Sequence, residues 1–213
     1  RHVLFRSRKS TPFPLEEATV QHMPANTQDS GTTLAAVVAR RDVLAQYEAV
    51  ADALGIHAGI VDLASFNVMN AVMGSGAAPA GAPSTGSGQD NLLICLAHEA
   101  TTIAILRGSE LLFYRQRAAI DQEPLSALVH QTAMYHEDRL GGSAFARVWL
   151  CGAGLTEGGA ERATEEISGR LGINAEPVDI RGAAQLRDRI GTTPDVLDAL
   201  AAPVGVLIRD KAA

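Results

Sequence analysis

The chain has 213 residues, of which 46% are hydrophobic, 20% charged and only 4% aromatic. That length and balance suit one large or two small globular domains with cores of Leu, Val, Ile and Ala, and exclude wholesale disorder. The formal net charge is −6 and the basic residues are scattered, which excludes the concentrated positive surface that nucleic acid demands.

The one basic cluster, Arg1, Arg6, Arg8 and Lys9, is short and reads as a solvated helix face. No stretch approaches the roughly 20 continuous apolar residues that cross a bilayer, and no signal peptide is visible. Work at a membrane would therefore go through a partner. Cys95 and Cys151 each sit in an apolar, strand-like run, as expected of buried reduced thiols in a cytoplasmic protein. The chain opens on Arg1 rather than Met, which fits a fragment of a longer protein.

In chain order, Val3 to Arg8 reads as a helix end, stopped by Pro12-Phe13-Pro14. Ala18 to Met23 and Thr32 to Ala39 are β-like runs, expected to pair as a hairpin with a long loop over Ala25 to Gly31. Arg41 to Leu54 is an amphipathic helix with Val43, Tyr47, Val50 and Leu54 at helical spacing and Gly55 as its stop. Ala58 to Leu63 reads as a strand and Ser65 to Val72 as a helix. Gly74 to Gly88, GSGAAPAGAPSTGSG, has no large apolar side chain to offset the entropy of ordering and reads as a flexible linker.

Beyond it, Asn91 to Ala97, Thr101 to Leu106 and Glu110 to Gln116 are successive strands of a meander. Pro124 to Leu140 is a helix ended by Gly141-Gly142, and Ala146 to Cys151 a strand running into the turn Gly152-Ala153-Gly154. A helix over Glu157 to Leu171, a strand over Asn174 to Ile180 and a final helix within Pro194 to Arg209 complete the chain.

Several familiar chemistries fail on spacing. His98-Glu99 begins like a zinc-protease motif, but Thr102 stands where the second His belongs. His130 and His136 are six residues apart and fall on different helix faces. Asp121 and Glu123 suit a polar helix start better than a catalytic pair, and no Ser, Cys and His set carries a nucleophile motif.

The order of elements and four local sequences resemble the actin-like PilM and FtsA proteins. TPFPLEEATVQ (Thr11 to Gln21) is similar to the lead-in to the extra subdomain those families share. VVARRDVLAQYEAVADALGIHAGIVDLASF (Val37 to Phe66) resembles the PilM strand–helix–strand passage. NLLICLAHEATTIAILRGSELLFYRQRA (Asn91 to Ala118) and VWLCGAGLTEGGAERATEEISGRLGI (Val148 to Ile173) resemble the second actin-like lobe, and LAAPVGVLIR (Leu200 to Arg209) its terminal helix. The fold implied is mixed α/β: an actin-like, ribonuclease H-like lobe preceded by the small extra subdomain. The implied domains are residues 1–73 for the extra subdomain with a remnant of the first lobe, 74–90 for the linker, and 91–213 for the second lobe. The first-lobe hairpin that binds phosphate in these families has no counterpart after Arg1.

The resemblance also implies a nucleotide site. In the family, an Asp, a Gly and a Thr pair occupy the strand turn at the start of the second lobe. Here Cys95 stands for the Asp and Ala97 for the Gly, while Thr101 and Thr102 keep the pair. A thiol suits magnesium poorly, and Ala97 adds a Cβ where close approach is needed. Glu99 lies beyond the turn. On the adenosine side, Gly152 and Gly154 fit a backbone lying against a ligand, and fit equally a sharp strand-to-helix turn. A degenerate site is therefore expected: no ATPase activity and no cofactor, with ATP and magnesium reserved for a longer form.

Binding is the function the resemblance leaves. It implies a cytoplasmic scaffold, peripheral to the inner membrane, in type IV pilus (fimbrium) assembly and twitching motility. The scaffold grips the N-terminal cytoplasmic tail of a PilN-like protein, binds no nucleic acid, does not itself insert into the membrane, and is able to pair as a homodimer. The cytoplasmic part of GspL is a similar scaffold. The groove walls would come from Thr19, Val20, Gln21, Val37, Val38, Arg40 and Tyr47, although the helical spacing of Tyr47 also suits a core residue. An ATP-binding switch that needs the missing lobe is the alternative.

Overall fold

A computed structural model describes residues 13–28, 31–75, 90–121, 123–155, 158–184 and 193–212. The basic cluster, the expected helix end at Val3 to Arg8 and most of the glycine-rich stretch lie outside them. The chain divides into two compact units, Arg1–Asp62 and Leu63–Ala213.

In the first unit, β1 (Ala18–Gln28) and β2 (Gly31–Arg40) pair antiparallel, from Ala18 opposite Arg40 to Gln28 opposite Gly31. The strands run further toward the tip than the turn-rich composition of residues 25–31 suggests. The register shifts between Pro24 and Asn26, where proline has no N–H to give the ladder. Helix α1 (Arg41–Ala53) follows β2 directly. Arg41 Nε donates to the Ala18 carbonyl at 3.0 Å, tying the helix start to the first residue of β1, and Gly55 ends the helix at φ +72°.

Helix α1 half-buries Leu44 and Ala51, and it touches β2. Its Val43, Tyr47, Val50 and Leu54 stripe stays open, with Tyr47 65% and Leu54 72% exposed. The core placement that the spacing of Tyr47 also suited is therefore corrected. The strand expected over Ala58 to Leu63 is also absent, because that apolar run has no sheet neighbour and lies irregular.

The second unit begins with α2 (Ala64–Gly74), which buries Val68, Met69, Ala71 and Val72 against the larger sheet and the terminal helix. That sheet comprises β3 (Asp90–Leu96), β4 (Ala100–Arg107), β5 (Glu110–Ala118), β6 (Arg147–Cys151) and β7 (Ala175–Pro177). Its order is β5-β4-β3-β6-β7, antiparallel through the meander and parallel from β3 across β6 to β7. The final strand is shorter than the expected Asn174 to Ile180, although Val178 and Ile180 beyond it are buried.

Helices α3 (Leu125–Leu140) and α4 (Gly159–Leu171) cover one face of the sheet. The other face meets α2 and the C-terminal helices α5 (Pro194–Ala199) and α6 (Ala201–Ala212). Strand β3 serves both layers by alternation: Leu92 and Ile94 point to one core, Leu93 and Cys95 to the other. Both faces being covered explains its nearly continuous apolar run. Each fully buried Leu or Ile there contributes about 1.5–3 kcal/mol.

The single final helix expected over Pro194 to Arg209 is two. The break falls after Ala199, the residue whose carbonyl the ring of Pro203 would strike in a continuous helix. Beyond the break, Gly205 lets α6 lie against α2, since a Cβ there would overlap the Asn67 carbonyl.

A buried ion network pins the start of β3. Asp90, 0% exposed, accepts from Arg107 Nε at 2.6 Å and Nη2 at 2.8 Å, and pairs with His136 Nε2 at 2.7 Å. His136 stacks on Phe145 with centroids 4.4 Å apart. Burial pushes the Asp90 carboxyl up, but hydrogen bonds from Arg107 and His136 outweigh it and hold the group below the ordinary carboxylate range. His130, by contrast, faces solvent, as its spacing from His136 implied.

Candidate functional site

The turn after β3 and the turn after β6 lie at the same end of the sheet, because the two strands are parallel neighbours with Cys95 opposite Cys151. Between them and helices α3 and α4 opens a cleft of about 350 Å³, lined by Leu96, Ala97, His98, Gly152, Arg162 and Glu166 among others. That volume lies in the range of small-molecule pockets.

Two of the five expected nucleotide-site residues, Ala97 and Gly152, line the cleft; Thr101, Thr102 and Gly154 do not. Thr102 is buried opposite Cys95 on β4, and Thr101 sits opposite Leu96. The Ala97 N–H donates to the Ala100 carbonyl at 2.9 Å, so the turn over His98 and Glu99 closes as a hairpin. Gly152 has φ +78°, and a Cβ there would overlap the Leu96 carbonyl oxygen. Its glycine is thus required by the packing of β6 on β3, whatever the ligand.

The lining that sequence reasoning missed comes from α4. Gly159, Arg162, Ala163 and Glu166 recur at the i, i+3, i+4, i+7 spacing of a single helix face, a signal present in the sequence and easily taken for core packing. Glu166 Oε2 also accepts from the Ser126 N–H at 3.0 Å, one of the unpaired amides that open α3. Replacing Glu166 by Ala is expected to cost about 0.5–1 kcal/mol through that lost cap, measured by urea denaturation.

Cys95 and Cys151 are free and buried. The Cys95 thiol beside it, burial and the Asp198 carboxylate together push the Cys151 thiol far above its ordinary range. It stays protonated at neutral pH, which makes it a poor nucleophile and a poor metal ligand. Among the described residues no group of three or more His, Cys, Asp or Glu side chains is disposed to hold a metal ion.

The expected peptide-binding residues all fall in the first unit. On the hairpin, Val20 lies opposite Val38, Gln21 opposite Val37 and Thr19 opposite Ala39, with Arg40 at the end of β2. Arg40 pairs with Asp42 in the first turn of α1. Tyr47 stands on the open stripe of α1 beside Val43, Val50 and Leu54. No described helix is long and apolar enough to cross a membrane.

No family model matches the chain, and no curated protein matches its sequence. Among solved structures, it is similar to a chain of a PilM-PilN type IV pilus biogenesis complex. The TM-score is 0.73 at 15% identity, over 98% of this chain and 70% of that one. It is also similar to a Bacteroides thetaiotaomicron protein with an actin-like ATPase fold and unknown function. There the TM-score is 0.50 at 11% identity, over 83% of this chain and 59% of that one. The fold is therefore actin-like, in the PilM-like form that both the order of elements and the structural match describe.

Proposed function

We propose that the chain is a cytoplasmic scaffold of type IV pilus assembly, bound to the inner membrane through the N-terminal tail of a PilN-like protein. The observation that carries this reading is the structural likeness to a chain of the PilM–PilN complex, which spans 98% of the residues. The first unit supports it physically. The open stripe Val43, Tyr47, Val50 and Leu54 is an exposed apolar surface, the kind of surface that marks a protein contact. A tail lying on such a surface is held by its apolar side chains packing against the stripe.

On this reading the cleft of the second unit turns over no nucleotide. Cys95 replaces a hard oxygen ligand by a thiol that burial keeps with its neighbour in the core. The chain is then a pseudo-ATPase without a resident cofactor. The cleft itself, at about 350 Å³, is the observation that favours the alternative of an ATP-binding switch.

Fluorescence anisotropy of a labelled PilN-like tail peptide tests the scaffold reading. Native protein is expected to bind it saturably, and Tyr47→Ala to weaken binding about tenfold, a loss common for a buried aromatic anchor. Equal binding by native and Tyr47→Ala protein would remove Tyr47 from the groove; no binding by either would sink the scaffold reading.

A further inference from the structure

The two cysteines of the chain are brought together by the sheet. Cys95 is next to last in β3 and Cys151 is last in β6, and the parallel register sets them directly opposite each other. Neighbouring strands lie about 4.7–4.9 Å apart, within the roughly 4.4–6.8 Å between Cα atoms that a disulfide spans. Both side chains belong to the same core layer, so they leave the sheet on one face. The thiols are within hydrogen-bond reach of each other.

At 9% and 8% exposed, Cys95 and Cys151 are the least covered of the buried residues on β3 and β6, because each stands where its strand runs out into a turn. As packing groups they act as two small apolar side chains, a role that alanine or valine also fills. What two touching thiols add is the capacity to join. In the cytoplasm proposed for this chain, such bonds are transient and follow the redox state.

We propose that Cys95 and Cys151 form an oxidisable dithiol site, which a small disulfide of the glutathione class converts into a bond between the ends of β3 and β6. Cys95 Sγ, as thiolate, attacks one sulfur of the small disulfide, forming a mixed disulfide and releasing the first small thiol. Cys151 Sγ then attacks Cys95 Sγ and releases the second. The two protein thiols lose two protons and two electrons, and the small disulfide gains both and leaves as two thiols. The site sets the order. Cys151 is held protonated first of all by its hydrogen bond with Cys95, then by burial and the Asp198 carboxylate, and the largest of these causes ends once Cys95 is capped.

The test incubates native protein with oxidised glutathione without denaturant, blocks remaining thiols with N-ethylmaleimide, and reads the intact mass, with circular dichroism following the fold. The expected product takes up no maleimide and is lighter than the reduced chain by about 2 Da, the two hydrogens lost. Dithiothreitol is expected to restore the starting mass. The cross-linked chain should keep its spectrum and unfold at a midpoint higher by at least about 5 °C, since a link between residues 95 and 151 constrains the unfolded chain. Cys151→Ser is expected to stop at the mixed disulfide, with one glutathione on Cys95.

Native protein that keeps both thiols free, or that carries a glutathione on each without closing the bond, would overturn the proposal. So would disulfide-linked dimers in place of the internal bond, or a Cys151→Ser chain that gains no glutathione. A closed bond with a lowered midpoint or a changed spectrum would count against it equally, because the thiols would then meet only by breaking the register of β3 and β6. Neither peptide nor nucleotide is present in this experiment, so its outcome is told apart from that of the scaffold reading.

Discussion

Replacing Asp90 by Ala is expected to lower the stability of the second unit by about 3–5 kcal/mol, nearer the lower figure because Arg107 is partly solvated. The substitution removes the acceptor of three hydrogen bonds. It leaves the buried His136 ring without its partner, and Arg107 without its bidentate carboxylate. At about 2–4 °C per kcal/mol for a chain of this size, the unfolding midpoint should fall by roughly 6–20 °C. The effect has a defined pH dependence. The carboxyl of Asp90 is held below its ordinary range in the folded protein, so its ionised form stabilises the fold above the unfolded value of about 3.9. That contribution disappears as the pH falls through the lowered folded value. The gap between native and Asp90→Ala midpoints should hold steady at neutral pH and narrow only in strong acid. A gap that closed between pH 5 and 7 would show that some other group governs the network.

Gly152→Ala should be the second costly substitution, at about 2–5 kcal/mol. A left-handed backbone costs a residue with a Cβ roughly 1–2 kcal/mol, and overpacking against a neighbouring strand adds about 1–3. The clash is with backbone, the Leu96 carbonyl, which no rotamer change relieves. Gly154→Ala is the control. Its new Cβ would lie 3.0 Å from a side-chain oxygen of Asp195, which is free to turn away, so a change under about 0.5 kcal/mol is expected. If denaturant midpoints fell equally for both, the glycines would be serving the turn in general rather than the approach of β6 to β3.

Much of the second unit was legible because its elements obey local rules. The meander follows from short apolar runs split by polar turns, and the alternation of Leu92 to Cys95 gives each side chain a face. The buried thiols followed from the same runs. What was not legible lies in contacts between distant residues. Asp198 reaches Gly152 across 46 residues, and nothing in either local sequence announces it. The division of the last helix could have been read from Pro203, whose ring acts four residues back. The cleft-lining face of α4 was visible as a spacing but not as a surface.

The first unit shows the opposite limit. The hairpin and α1 follow from local pattern, and so does the apolar stripe on α1. Periodicity reports that Val43, Tyr47, Val50 and Leu54 share a face; it does not report what that face meets. The structure leaves them exposed, which is why the stripe supports a binding role rather than a core. The run Ala58 to Leu63 misled for a related reason: a strand propensity is realised only where a neighbouring strand supplies the ladder.

Thermal unfolding of this chain with the PilN-like tail peptide, and separately with millimolar magnesium-ATP, tests the scaffold account most directly. A ligand at about a hundred times its dissociation constant adds roughly 2.7 kcal/mol, a plain rise in midpoint. The account predicts that rise with the peptide and none with the nucleotide. A rise with magnesium-ATP and none with the peptide would contradict it and make the chain a nucleotide-binding switch.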